Sequence, residues 1–282
     1  MILDIIEKKK EGKILSKEEL TEAFMGYLRN QVADEQMSSL LMAICIKGMT
    51  IEETIDLTDL FLNSGKKLAL SFLDGVKVDK HSTGGVGDKT TLIVGPIVAS
   101  CNVPFIKMSG RSLGYTGGTI DKLESIPGMN VHLSIDEIKK QALDIGLVIT
   151  EQTEDLTPLD RKIYALRDIT GTTKSIPLIA SSIMSKKLAS GADKIVIDIK
   201  YGKGALLANL EEAKTLAFYL EKIAAVYQKE IRTVLSCMDV PLGDAVGNKI
   251  EVLEAIEVLK GKKKGPLLEL SLTLAANLLS MA

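Results

Sequence analysis

The sequence predicts an α/β protein in two parts, a small all-helical unit followed by a larger unit built on a mostly parallel sheet. Three observations carry this. Residues 1–65 keep a helical apolar period throughout. After Asp74-Gly75 the period drops to two, as Val76 and Val78 alternate with Lys77 and Asp79. From there strand and helix patterns alternate, the arrangement that covers parallel strands with helices.

Taken in order, Ser16 and Glu19 form a capping box ahead of Leu20, Phe24 and Leu28, and Gly48 and Gly65 sit where helices should stop. The strand at Val76–Asp79 enters a glycine-rich loop and then an apolar helix from Thr91 to Ala99. A second strand, Val103–Met108, enters a second glycine-rich loop. Further strands are expected at Leu147–Thr150, Lys194–Ile199 and Thr233–Cys237, with helices at 135–145, 209–227 and 248–260. Residues 157–190 read as helical again, starting at Pro158 and Pro177, and are expected to pack with the N-terminal helices. The expected domains are therefore 1–65 plus about 157–190, helical, and about 70–156 plus 191–282, α/β and phosphate-binding. A cleft between the two lobes is the expected ligand site. The run Lys260–Gly265 reads as a solvated turn. The apolar tract Pro266–Ala282, broken by Glu269 and Asn277, is too short and interrupted to span a membrane and reads as a buried or partner-facing helix.

Composition narrows the function. Across 282 residues, 35 Lys and Arg face 37 Asp and Glu, a net charge of -2 that supplies no electrostatic footprint for nucleic acid or an anionic membrane. A small anion site remains open. The chain has 46% hydrophobic and 26% charged residues, enough for a sizeable core. Aromatics are only 4% and Trp is absent, so stacking of bases on aromatic platforms is not the expected mode of action and the core must be aliphatic. Cys45, Cys101 and Cys237, odd in number and set among apolar neighbours, read as reduced, buried thiols of a cytoplasmic protein. The start MILDIIEKKK shows no export signal.

The most informative string is KHSTGGVGDKTT, residues 80–91, between a strand and a helix. Glycines let the backbone approach an anion, helix N-terminal amides point at it, and Lys80, Ser82 and Thr91 add charge and hydroxyls. A Walker loop would need glycine where Thr83 and Asp88 stand, and the G-x-G-x-x-G spacing from Gly85 fails at Thr90, so ATP and dinucleotide readings lose their support. The second loop, Lys107 to Thr119, repeats the logic, with Ser109 at the strand end and Thr119 opening the next helix. Loops at the carboxyl ends of parallel strands converge, so two loops of one chemistry imply one phosphate. A third element pairs Tyr164-Ala-Leu-Arg167-Asp168 with Ser182 and Lys186, four apart and on one helical face. A uracil or thymine edge offers two carbonyl acceptors flanking an N–H, and an Arg, a Lys and a hydroxyl complement it. Taken alone, such a Ser–Lys pair reads more readily as ordinary solvated surface.

Together the strings KHSTGGVGDKTT, SGRSLGYTGGTIDKLESIPG, YALRD and SIPLIASSIMSKK, with the later DVPLGDAVGNKIEVLEAI, closely resemble the pyrimidine nucleoside phosphorylase and thymidine phosphorylase family over essentially the whole chain. The resemblance implies a fold of the nucleoside phosphorylase and phosphoribosyltransferase type, used as a homodimer. The implied reaction is reversible phosphorolysis, in which inorganic phosphate attacks C1′ of uridine, thymidine or deoxyuridine and releases the base and a pentose 1-phosphate. Lys80, Ser82, Thr91, Lys107, Ser109 and Thr119 become phosphate ligands. Arg167, Ser182 and Lys186 become ligands of the base, with His81 facing it and His81, Arg167 and Lys186 catalytic. The resemblance also implies a potassium ion held by Gly87, Lys89 (main chain), Leu242, Ala245 and Glu254, and no organic cofactor. His132 is read as structural. Family chains run substantially further, so by this resemblance the last part of the α/β domain is missing from these 282 residues. Tyr115 stands where other members carry His. Two alternatives stay open: a phosphoribosyltransferase of related fold, which needs magnesium and a diphosphate substrate, and a shortened scaffold that binds without turnover.

Overall fold

The structure, a computed structural model, describes residues 1–111, 117–153 and 155–282. Tyr115 lies outside the described residues. The chain packs as two compact units: Met1–Leu68 with Glu154–Ala189 and Thr215–Gln228, and Ala69–Thr153 with Ser190–Lys214 and Lys229–Ala282.

The first unit is helical. It holds α1 (Ile2–Lys10), α2 (Lys17–Leu28), α3 (Asp34–Lys47) and α4 (Ile51–Asn63), joined later in the chain by α8 (Pro158–Thr170) and α9 (Ile176–Ala189). Ser16 caps α2 through the capping box read from the sequence, and Thr50 with Glu53 caps α4 in the same way. Gly48, at φ +74°, closes α3, while α4 stops two residues short of Gly65. Phe24 and Phe61 meet edge to face at 6.1 Å between ring centroids, inside an aliphatic cluster that includes Leu20, Met37, Leu40, Leu159 and Leu178. Lys9 and Glu53 form a buried ion pair at 2.8 Å, and the Leu15 amide donates to the same carboxylate.

One boundary differs from the sequence expectation. The helix α10 (Leu210–Val226), expected wholly with the α/β part, passes into the helical unit from Thr215. Two tyrosines on it supply a reason: Tyr219 Oη donates to the carbonyl of Met49 at 2.9 Å, and Tyr227 Oη to Asp59 at 3.3 Å.

The second unit is a sheet covered by helices. In chain order it contains β1 (Val78–Ser82), α5 (Thr90–Ser100), β2 (Phe105–Ser109), α6 (Thr119–Glu124), α7 (Ile135–Ile145), β3 (Leu147–Glu151), β4 (Lys194–Tyr201), β5 (Glu230–Cys237), α11 (Asn248–Leu259) and α12 (Pro266–Met281). Among the described residues the strands form one sheet in the order β3-β2-β1-β4-β5, with every pair parallel. Strand β1 begins at Val78, two residues later than the alternation suggested, because pairing starts where the Val78 amide donates to Pro104 O. The internal strand β4 reads KIVIDIKY and buries nearly every residue, as a parallel strand covered on both faces should. Val94 and Val98 of α5 and Leu274 and Leu278 of α12 pack with Val78, Phe105 and Val196. The tract 266–282 thus buries one stripe against its own unit. Among the described residues no helix is long and apolar enough to cross a membrane.

One expectation is corrected by this packing. Cys45, Cys101 and Cys237 are free thiols, but none is buried: Cys101 ends α5 and Cys237 ends the edge strand β5, both facing solvent. The run 260–265 is a turn as expected, yet Lys263 reaches back to Asp244 (2.9 Å) and Glu254 (2.7 Å).

Candidate active site

Strand order reverses beside β1: β2 and β3 lie on one side of it, β4 and β5 on the other. The carboxyl ends of β1 and β4 therefore flank a topological switch point, where open parallel sheets bind ligands. Ser82 and Asp198 stand in register at that point. The loop after Ser82 is held by backbone bonds, from Val86 N to Gly204 O and from Leu242 N to Val86 O. At Gly85 a side chain would strike Met238, and Gly87 has φ +77° with Leu242 O only 2.6 Å from where a Cβ would stand. At Gly87 only glycine fits, whereas at Gly85 the end of the flexible Met238 side chain would have to move aside.

The phosphate residues expected from the sequence collect at this end of the unit. Lys80 is fully buried in β1, Ser82 ends β1, Thr91 is the second residue of α5, Lys107 is buried in β2, Ser109 ends β2, and Thr119 opens α6. Since Val78 is in register with Phe105, Lys80 and Lys107 each stand two residues further along adjacent strands. Lys107 Nζ donates to Lys80 O at 2.7 Å, and Lys80 Nζ to Thr90 Oγ1 at 2.6 Å. His81, between Lys80 and Ser82, is half-buried and in register with Ile197.

Around this set lies a charge network that the sequence reading missed. Asp88 accepts from Ser82 Oγ at 2.5 Å and from Thr90 N and Oγ1 at 3.2 and 2.7 Å. Burial opposes its charge, but Lys200, Lys80 and these hydrogen bonds hold it well below the usual carboxylate range. Lys200 Nζ sits 2.8 Å from Asp198 Oδ2 and 4.0 Å from Asp88, and Ser236 Oγ donates to Asp198 at 2.5 Å. Burial drives the Lys80 ammonium below the ordinary lysine value, with Asp88 and Asp198 resisting. Lys122 of α6 ties the two glycine loops together, donating to Asp88 O at 2.6 Å and Gly117 O at 2.9 Å beside Glu251 at 3.0 Å. Asp88 was visible in the loop string. Asp198, Lys200 and Glu251 carry no local signal, because each faces residues remote in sequence.

The residues expected to hold the base lie in the helical unit. Ser182 and Lys186 do share a face of α9: Lys186 Nζ donates to Ser182 Oγ at 2.7 Å. The ammonium also meets buried Asp160 at 2.5 Å and lies 4.9 Å above the Tyr164 ring, two partners on α8 that the sequence reading left unassigned. Arg167 is buried, and its guanidinium donates to the carbonyls of Thr172, Thr173 and Leu178 at 3.2, 2.9 and 3.3 Å. Burial lowers its pKa. In the α/β unit His132 lies at the surface, 3.0 Å from Glu151, a carboxylate also held by Arg111.

The expected potassium ligands also converge, but on a side chain. Lys89 Nζ donates to Leu242 O at 3.0 Å, Ala245 O at 2.6 Å and Glu254 Oε2 at 2.6 Å. Lys89 was expected to lend only its carbonyl. Its ammonium has three donors, and these three oxygens take them. The Lys89 ammonium stands where the expected ion would be held, so these residues do not fit a further cation there.

Two family models match the chain: the glycosyl transferase family a/b domain over residues 74–282 and the glycosyl transferase family helical bundle domain over residues 3–65. The chain is 51% identical over 281 residues to a pyrimidine-nucleoside phosphorylase of Staphylococcus epidermidis, and 50% identical to one of Geobacillus stearothermophilus. Each match covers 100% of this chain, which spans 65% of the relative's length. Among solved structures it resembles anthranilate phosphoribosyltransferase from Thermus thermophilus, with TM-score 0.72 and 17% identity, over 99% of this chain and 90% of that one. At that identity the likeness concerns the fold alone.

Proposed function

The chain belongs to the glycosyl transferase family, and on that premise we propose that it performs reversible phosphorolysis of pyrimidine nucleosides. The observation that carries this reading is the match at about 50% identity along all of this chain to relatives named pyrimidine-nucleoside phosphorylase. The geometry is compatible with it. Hydroxyls at the ends of β1 and β2 and the start of α6 (Ser82, Ser109, Thr119), with Thr91 and the buried ammonium groups of Lys80 and Lys107, are donors for one phosphate.

In this reading phosphate is both ligand and nucleophile. It attacks C1′ as the glycosidic bond breaks with oxocarbenium character, and the electron pair of that bond leaves with the base. Arg167 and Lys186 offset the negative charge developing on the pyrimidine, Ser182 and Asp160 hold Lys186 in place, and His81 donates a proton or hydrogen bond to the departing base. A general acid of this kind contributes about 10²–10⁴-fold. No organic cofactor and no enzyme nucleophile are needed, and no step passes through potassium. The protein is proposed to act in pyrimidine salvage, as a cytoplasmic homodimer.

The test is release of uracil from uridine, and of thymine from thymidine, by the purified chain with and without inorganic phosphate. Release that depends on phosphate, with pentose 1-phosphate formed in equal amount, is the expected result. No release, or equal release without phosphate, overturns the reading. Magnesium-dependent consumption of phosphoribosyl diphosphate would favour the phosphoribosyltransferase alternative instead.

A further inference from the structure

We infer that the ammonium of Lys89 is a cation built into this chain, taking the place of a free monovalent ion and making the α/β unit independent of potassium. The inference concerns a binding site and does not depend on which reaction the protein performs.

The cage is real by its composition. Two main-chain carbonyls, from Leu242 and Ala245, and one carboxylate, from Glu254, face a common point, a set of hard oxygens with a single negative charge. Such a set takes a cation at that point, beside the Lys263 ammonium on the other carboxylate oxygen. Lys89 supplies it from the turn before α5, and its side chain is fully buried there, as is nearly all of that of Glu254. An ammonium and a potassium ion are alike in charge and in their preference for oxygen. They differ in that the lysine is tethered, so its occupancy does not depend on concentration.

No room remains for a second ion. The Glu254 carboxylate accepts Lys263 Nζ and Asp244 N on Oε1, and Lys89 Nζ and Ala245 N on Oε2. Those donors use the lone-pair sites a carboxylate offers. Gly243 and Gly87 close the walls: a Cβ on Gly243 would lie 2.7 Å from Glu254 Oε2, and one on Gly87 2.6 Å from Leu242 O. A free cation could enter only by displacing Lys89. The consequence is structural. The cage joins the first glycine loop to the 242–245 turn and to α11, so the loop's position is set by a covalent part of the chain.

The experiment measures thermal stability and ion occupancy in the full chain. Melting is followed in potassium chloride and in tetramethylammonium chloride at equal ionic strength. Crystals soaked in thallium(I), a potassium surrogate, are examined for anomalous scattering between Leu242, Ala245 and Glu254. The wild type is expected to melt within about 1 °C in both salts, since a protein that binds no ion gains nothing from it, and to show no thallium peak there. Lys89→Ser keeps a good N-cap residue for α5 while removing the ammonium. It is expected to melt at least about 5 °C lower without potassium, to regain half or more of that loss with potassium, and to show the thallium peak. Lys89→Met, which fills the space without donors, is expected to be destabilised and not rescued. A thallium peak in the wild-type cage, or melting raised specifically by potassium, overturns the inference. So does a folded Lys89→Ser variant with neither potassium response nor thallium. If that variant does not fold, the two wild-type measurements decide. The phosphorolysis reading stands or falls separately, on base release.

Discussion

Replacing Lys122 by Met tests whether one buried ammonium holds the two glycine loops together. In the folded protein this group donates to Asp88 O and Gly117 O, one carbonyl from each loop, and lies 3.0 Å from Glu251 Oε2. Both side chains are almost entirely buried. The approach to Oε2 is close but not directed as a hydrogen bond, so that contact is chiefly Coulombic. At 3.0 Å and an effective dielectric of about 20, two unit charges attract by about 5–6 kcal/mol. Desolvation offsets part of this in the intact pair. Lys122→Met removes the partner and leaves Glu251 charged and buried, a situation that costs about 3–5 kcal/mol. For a unit of this size that is a fall in melting temperature of about 6–20 °C. Calorimetry with urea titration measures it. The double variant Lys122→Met/Glu251→Gln, which removes the stranded charge, should recover more than half of the loss. A single variant within about 1 kcal/mol of wild type, or a double variant no better than the single, would refute the reasoning.

Three further outcomes are expected. Lys186→Ala should lower phosphorolysis more than tenfold, at about 1.4 kcal/mol per decade, because it removes the charge proposed to face the leaving pyrimidine; unchanged turnover would leave Lys186 only as the structural partner of buried Asp160. Ser109→Ala should raise the phosphate concentration needed for half-maximal rate more than that of nucleoside, and an equal effect on both would argue against a dedicated phosphate ligand. Burial works against the Asp193 carboxylate, but the amide and ammonium of Lys77 lower its pKa on balance. A depressed acid stabilises above its unfolded pKa of about 3.9 and loses that contribution as pH falls through the folded value. The melting difference between wild type and Asp193→Asn should therefore be largest near neutral pH and shrink below about pH 4; the same difference at both would exclude the pair as its source.

Much of the fold was legible because its signals are local. A capping box needs only Ser16 and Glu19, and the helix at 135–145 and the strand expected at Leu147–Thr150, observed one residue longer, are set by local pattern. The destination of α10 was not legible, since its tyrosines bond to Met49 and Asp59, about 170 residues earlier. The exposure of Cys101 and Cys237 was not legible for a related reason: apolar neighbours in sequence do not bury a residue at the end of a helix or of an edge strand.

The candidate site divides along the same line. The glycine loops, the lysines and hydroxyls at their strand ends, and the Ser182–Lys186 face are properties of short segments, and the sequence alone determined them. Side-chain partners across the fold were decided only by tertiary structure. Lys89 is read from its loop as a backbone position, yet its ammonium finds oxygens 153, 156 and 165 residues away. Lys122 finds Glu251, and Lys200 finds Asp88 and Asp198. The physical reason is that a buried charge must be satisfied wherever the chain brings it, and periodicity and spacing carry no information about which distant group will be there.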